Sequence, residues 1–348
     1  MTVRIPETVP DHAVGTAERP APGSAVVQSP SLRLALRRLV TAIPVLWGVT
    51  ALTFVVLNVL PGNAARQLLG AEATPEQVEQ LTAELGLDKP LLTRYWDWLV
   101  GVLTGDLGRS LASGQPVTEI FGERLPVTLE LAFYALGVSL VLTIPVALLA
   151  TRRPGGLADR VSMAVSMAGL SVANYVLALL LVMVFAVQFP VFPAIGYVPL
   201  EQGIVENVRS LTLPAVAIGF PLFCFYTRLL RGDILEQMRE DYVVTARAKG
   251  VGTWRVLLRH ALRNSLFGLL TIVGLNLGHL VGGTVISEQI FALPGLGQEL
   301  VQAINNRDVV VVQAIVLFMA AAVVLVNLLT DILYAVLDPR IRYGQRPA

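Results

Sequence analysis

Charge is what this sequence has least of. Of 348 residues only 15% are Asp, Glu, Lys or Arg, against 54% hydrophobic. Soluble domains carry about a quarter charged residues, so a mean hydropathy of +0.66 excludes an ordinary soluble fold. The single cysteine, Cys224, excludes a disulfide framework. The three histidines, His12, His260 and His279, are scattered without metal-ligand spacing. Lysine is confined to Lys89 and Lys249, and neither follows the glycine-rich turn of a P-loop. The chain is therefore not a conventional P-loop ATPase. It has no HExxH, no GxSxG and no His/Asp constellation, which leaves a membrane-embedded enzyme without a catalytic cluster. A net charge of +1 gives no sign of a nucleic-acid partner.

Long apolar runs are abundant. Helices are the spanning form expected, because the runs lack period-2 alternation and lipid leaves no backbone group unpaired. Six spans are expected: Leu39–Leu60, Thr128–Ala150, Val161–Phe189, Leu211–Leu230 with Pro214 and Pro221, Leu266–Phe291 and Val309–Leu337. Residues 1–31 are rich in Pro, Ala, Ser and Thr and have no apolar stretch. They are expected to form a disordered cytoplasmic extension and not a signal peptide. The apolar body then runs over 32–344, with a short tail over 345–348.

Arginine placement sets the orientation. With the N-terminus inside, inner segments hold Arg33, Arg37 and Arg38, then Arg152, Arg153 and Arg160, then the loop after span four, then Arg340, Arg342 and Arg346. The two short outer loops hold only Arg209 and Arg307. Both termini are expected to be cytoplasmic.

The first outer loop, 61–125, is long enough to be a small subdomain. Thr74 is an N-cap candidate, Pro75 suits the first helical position and Gly86 ends the segment. Beyond it, Leu92, Tyr95, Trp96, Leu99 and Leu103 recur at helical spacing. Two readings stand: a helix lying on the bilayer, or a contact for an extracellular delivery protein.

The cytoplasmic loop, 231–265, has more helical pattern than a connector needs. Asp233–Arg247 is expected to be helical, Gly250 to break it, and Thr253 to cap a second short helix. In that second helix Trp254, Leu257, Leu258, Ala261 and Leu262 fall on one side, and Arg255, Arg259 and Arg263 recur on another. A docking knob is expected, with Asp241, Val244, Thr245, Ala246, Arg247, Lys249, Gly250, Trp254, Arg255, Arg259 and Arg263 as its surface. The plainer alternative is that these arginines only fix topology.

Span five carries Gly274, Gly278 and Gly282 at successive i+4 positions, with Asn276 and His279 between them and Glu288 near the outer end. The glycine face serves either helix packing or pairing with another subunit. His279 is either an interior hydrogen-bonded side chain or a substrate contact. Glu288 is costly at membrane depth unless paired or wet, and an outer gate is one role for it.

The segment DYVVTARAKGVGTWRVLLRHALRN resembles the EAA loop of ABC importer permeases, and RLVTAIPVLWGVTALTFVVLNVLPG, GDLGRSL, ERLPVTLELA, EQIFALPGLGQELVQAINNRD and NLLTDILYAVLDPRIRYG resemble its dipeptide/oligopeptide/nickel branch in order over 38–344. The resemblance implies an all-α polytopic membrane protein with six transmembrane helices in the MetI-like, type I ABC importer architecture. It implies a transport subunit, not an enzyme, in a bacterial plasma membrane. Its partners would be a second homologous permease subunit, two cytoplasmic ATPase subunits and an extracytoplasmic substrate-binding protein. No cofactor is then bound by this chain; ATP and Mg belong to the ATPase subunits. Peptides are the usual cargo, while nickel and other small solutes occur in the same branch and no residue here separates them. One departure is Val244, where the family's motif usually starts with Glu, Gln or Arg. A secondary transporter or channel remains the rival class, although no internal repeat is visible.

Overall fold

A computed structural model describes residues 30–59, 64–70 and 72–337. The expected N-terminal extension falls almost wholly outside the described residues, as does the tail, and so do the side chains of His279 and Asp331. Among the described residues the chain is helical with no strand, apart from one isolated bridge between Arg109 and Pro116.

The first long helix, α1, is Pro30–Val59. The outer loop follows with α2 (Ala64–Leu69), α3 (Pro75–Glu84) and α4 (Leu91–Thr104). Thr74 caps α3 as expected. Its hydroxyl accepts the Gln77 N–H while the Gln77 side chain accepts the Thr74 N–H, so two orphan donors are met reciprocally. Gly86 then takes the left-handed conformation that ends the segment. α4 exposes Leu92, Trp96 and Leu103 on one side. Its other side meets α1, where the Tyr95 hydroxyl lies 2.9 Å from that of Thr50 and Arg94 donates to Asn58 at 3.1 Å. Burial lowers the Arg94 pKa from its ordinary value.

The core is built on α5 (Val117–Arg152) and α8 (Ile204–Gln237), the two helices that pack together most extensively. Gly219 of α8 sits so close to α5 that a Cβ there would come within 2.7 Å of the Ala135 carbonyl oxygen. Between them run α6 (Leu157–Ser171) and α7 (Asn174–Val182), the latter prolonged by a π turn over Met183–Gln188. The inner loop then gives α9 (Asp241–Ala248), α10 (Thr253–Val256), a π turn (Leu257–Ala261) and α11 (Leu262–Gly283). On the far side lie α12 (Val285–Ile290), α13 (Leu296–Asn305) and α14 (Val309–Leu337).

Among the described residues five helices are long and apolar enough to cross a membrane: Val40–Val59, Val117–Arg152, Ile204–Gln237, Thr253–Gly278 and Val309–Thr330. α6 and α7 pass the same test together as a pair bent by 103°, which makes six if the pair counts as one span. This corrects the expected unbroken third span over Val161–Phe189. Val172 and Ala173 are extended, and no proline or glycine marks the site, so periodicity alone could not show it. The fifth span also differs from expectation: its helix begins at Thr253, inside the 231–265 loop, and α11 ends at Gly283, with α12 following as a separate short helix.

Candidate functional site: the helix–turn loop between α8 and α11

α8 stops at Gln237, and residues 238–240 form a turn before α9 starts. Asp233–Arg247 is therefore two helices, where one was expected. At the other end of α9, Gly250 has φ +79°, a left-handed conformation that glycine adopts without strain. The Val251 N–H reaches back to the Ala246 carbonyl at 3.1 Å, which closes the helix. Gly252, not Thr253, occupies the N-cap of the next helix, and it makes no side-chain cap. Thr253 is already helical. The second helix is also not a free-standing short one. It is the inner end of span five, continuous through the π turn into α11.

This continuity changes which residues are buried. Val256, Leu257 and Ala261 are fully buried, and Leu257 and Ala261 join the core that contains Tyr226, Leu230 and Ile234 of α8. Trp254 and Leu258, expected on the same side, are exposed. The extra residue per turn in a π segment rotates the register, so a 3.6-residue reading of this stretch places them wrongly.

In α9, Val243 is the buried anchor. Asp241, Val244, Thr245, Arg247, Lys249 and Gly250 are exposed, as are Arg255, Arg259 and Arg263 beyond the turn; Ala246 is half-buried. Among the described residues none of these arginines, nor Lys249, forms an ion pair within the chain. The loop thus presents a short helix, a glycine turn and a row of unneutralised cations.

Residues not singled out from sequence hold this surface in place. The Tyr242 hydroxyl donates to Gln237 Oε1 at 2.6 Å, and Asn264 Nδ2 donates to the Tyr242 oxygen at 3.1 Å and to Gln237 Oε1 at 3.3 Å. One side chain of α9 is thereby tied to the end of α8 and the start of α11. The Tyr242 and His260 rings lie 6.3 Å apart. Arg152, at the end of α5, lies 5.4 Å over the Trp254 ring. Arg231, which sequence placed among the loop cations, folds inward onto Asp159 of α6 through Nε and Nη2, while the Gly155 N–H also donates to Asp159. These partners come from separate elements, so no local spacing could have revealed them.

The span-five residues fall into three settings. Gly274 and Gly278 let α11 close on α14 of the same chain: Cβ atoms there would lie 2.6 Å from Thr330 Oγ1 and 3.0 Å from the Val323 Cα. Gly282 faces open space, and Asn276 is half-buried facing Tyr226. Glu288 is fully buried. Its Oε1 accepts the Thr128 hydroxyl at 2.9 Å, and its Oε2 accepts the Gly297 and Gln298 N–H groups at 2.7 and 3.1 Å. It is a cap on the N-terminus of α13, where a carboxylate meets orphan donors and the helix dipole together. Nearby, the Tyr197 hydroxyl donates to Glu130 at 2.7 Å; burial first, and then that carboxylate, push the Tyr197 pKa up, so it stays a donor.

Comparison with known proteins follows this geometry. Residues 143–343 match the family of binding-protein-dependent transport system inner membrane components, and residues 31–132 match the N-terminal part of such membrane components. A putative peptide transport system permease protein of Brucella abortus is 43% identical over 310 residues, covering 89% of this chain and 99% of that protein. The dipeptide transport system permease protein DppB of Escherichia coli is 38% identical over 336 residues, covering 90% and 99%. DppB of Alkalihalophilus pseudofirmus is 35% identical over 332 residues, covering 90% and 100%. With both family segments matched in order and the relatives covered end to end, the chain belongs to the binding-protein-dependent transport system inner membrane components, the multi-pass permease subunits of ABC importers.

Proposed function

We propose that this chain carries peptides across the plasma membrane as one permease of an ATP-driven importer. An extracytoplasmic binding protein delivers the peptide, a second homologous permease completes the path, and two cytoplasmic ATPase subunits hold ATP and Mg. The cargo rests on the relatives, whose names specify peptide or dipeptide transport. Both termini lie in the cytoplasm, in keeping with the arginine-rich inner segments. α4 lies along the outer leaflet with Leu92, Trp96 and Leu103 in the lipid.

The observation that carries the mechanism is α9 itself: exposed on its outer face, buried at Val243 and hydrogen-bonded to two spans. α9 enters a cleft on an ATPase subunit, and the exposed arginines and Lys249 meet acidic groups around it. Val244 makes an apolar contact where the family usually has a polar one. When ATP draws the ATPase subunits together, α9 moves and pulls the inner ends of α8 and α11. An inward-open cavity becomes outward-open, and hydrolysis resets it. The free energy comes from docking that differs between the two states, because equal affinity would shift nothing.

The test is the ATPase rate of the reconstituted complex with its binding protein and a pool of di- to pentapeptides. Wild type is compared with the double variant Gly250→Trp, Arg247→Glu. A side chain at φ +79° is strained, and the charge reversal opposes docking. Peptide stimulation of wild type, lost in a variant that still inserts and folds, is the expected outcome. Normal transport by the variant would remove the docking assignment.

A further inference from the structure

The break in span three is the feature that this reading leaves unused. Three contacts fix its depth. Asp159 of α6 pairs with Arg231 of α8; the Cys224 thiol lies 3.7 Å from the Val165 carbonyl oxygen; and Gly169 packs on Phe220 and Cys224. α6 therefore runs antiparallel to α8, and the break at Val172–Ala173 falls opposite the middle of the stretch from Ile204 to Arg231. At 1.5 Å per residue that is roughly 20 Å from either end. The break sits near the middle of the bilayer.

A break there frees backbone polar groups. Val172 and Ala173 are extended and α7 has no side-chain cap; the Ala173 carbonyl accepts the Val176 and Leu177 N–H groups, so the last carbonyls of α6 and the Asn174 and Tyr175 N–H groups are left without helical partners. Residues 171–176 are all exposed on this chain. Lipid cannot meet such groups, and irregular backbone at membrane depth is tolerated only inside protein or beside water. A helix of a partner subunit has its own backbone already paired, so packing one over the break would leave these groups unmet. Water meets them. The side chains agree: among the described residues the Asn174 amide makes no hydrogen bond, and Tyr175 is 52% exposed.

We propose that the α6–α7 break lines the water-filled translocation path and that Asn174 and Tyr175 offer hydrogen bonds to the main chain of the passing peptide. This rests on the peptide-importer reading above. Peptide amides carry a donor and an acceptor at every residue whatever the side chain. A contact made to them accepts varied sequences, which suits a carrier that moves many peptides.

The native chain has one cysteine, so Cys224→Ser alone gives a cysteine-free background. In the assembled complex in vesicles, Asn174→Cys is compared with Val56→Cys, half-exposed on α1, a helix that packs on α14 and α4. The probe is a charged, membrane-impermeant methanethiosulfonate, which needs a hydrated thiolate. Asn174→Cys should react at least about tenfold faster than Val56→Cys. Its rate should change when ATP is added, and excess dialanine should slow it. Asn174→Leu should raise the dialanine concentration for half-maximal uptake by about fivefold, the worth of one hydrogen bond. Equal labelling of the two cysteines overturns the proposal, as does fast labelling that vanishes once the second permease is present. Labelling without dialanine protection overturns the peptide contact. Uptake by the cysteine-free parent is measured in the same vesicles: its absence there removes the importer reading and this proposal together, whereas uptake with an unreactive Asn174→Cys removes this proposal alone.

Discussion

The two ends of this molecule use charge in opposite ways. At the outer end two carboxylates are buried and hydrogen-bonded, beneath exposed charges of both signs. Glu288 caps α13, and Asp308 accepts the Ser110 hydroxyl at 2.6 Å, the Ala112 N–H at 3.3 Å and the Val311 N–H at 3.2 Å, tying the outer loop to the start of α14. Gly108 allows that approach, since a Cβ there would lie 2.9 Å from Val310. At the inner end the arginines of 247–263 are exposed and, among the described residues, form no ion pair, around a short helix held by one tyrosine, a buried valine and a glycine turn. The outer arrangement resists deformation, and the inner one leaves a surface free for a partner. Substitutions outside should therefore lower stability, and those inside should lower coupling to ATP.

The inner Asp159–Arg231 pair is the exception, and its loss is the largest effect expected. Arg231→Leu leaves a buried carboxylate unpaired and should cost about 3–5 kcal/mol, seen as poor recovery from detergent and a lower melting temperature. Exchanging the two charges should recover part of that loss. At the outer end, Glu288→Leu removes the acceptor for Thr128, Gly297 and Gln298 and should cost about 3 kcal/mol by the same measurement. Melting unchanged from wild type would end the description of the outer end as the rigid one. Tyr242→Phe keeps the ring and removes the hydroxyl that joins α8, α9 and α11. It should cost at most about 1 kcal/mol in stability, while peptide transported per ATP hydrolysed falls. The smallest effect on stability, within about 0.5 kcal/mol, is expected for Arg255→Gln with Arg259→Gln. That pair should weaken ATPase association, most visibly at low salt where exposed charges act furthest. Were it to melt earlier without changing association, the two ends would no longer differ in kind.

The sequence by itself determined the class, most of the spans and the turn at Gly250, because these depend on local quantities. Apolar run length sets spans, Thr74–Pro75 and Gly86 set the limits of α3, and Gly250 sets the turn after α9. The tertiary structure alone decided what Glu288 does, since its partners Thr128 and Gly297 lie on other elements and its apparent place in span five suggested a gate. It alone assigned Gly274 and Gly278 to contacts with α14, because i+4 glycines look the same whichever helix they meet. The break at Val172–Ala173 and the π turn at Leu257–Ala261 also needed three dimensions. Neither contains a proline or glycine, and each is held by packing against α8, so no residue at the site announces it.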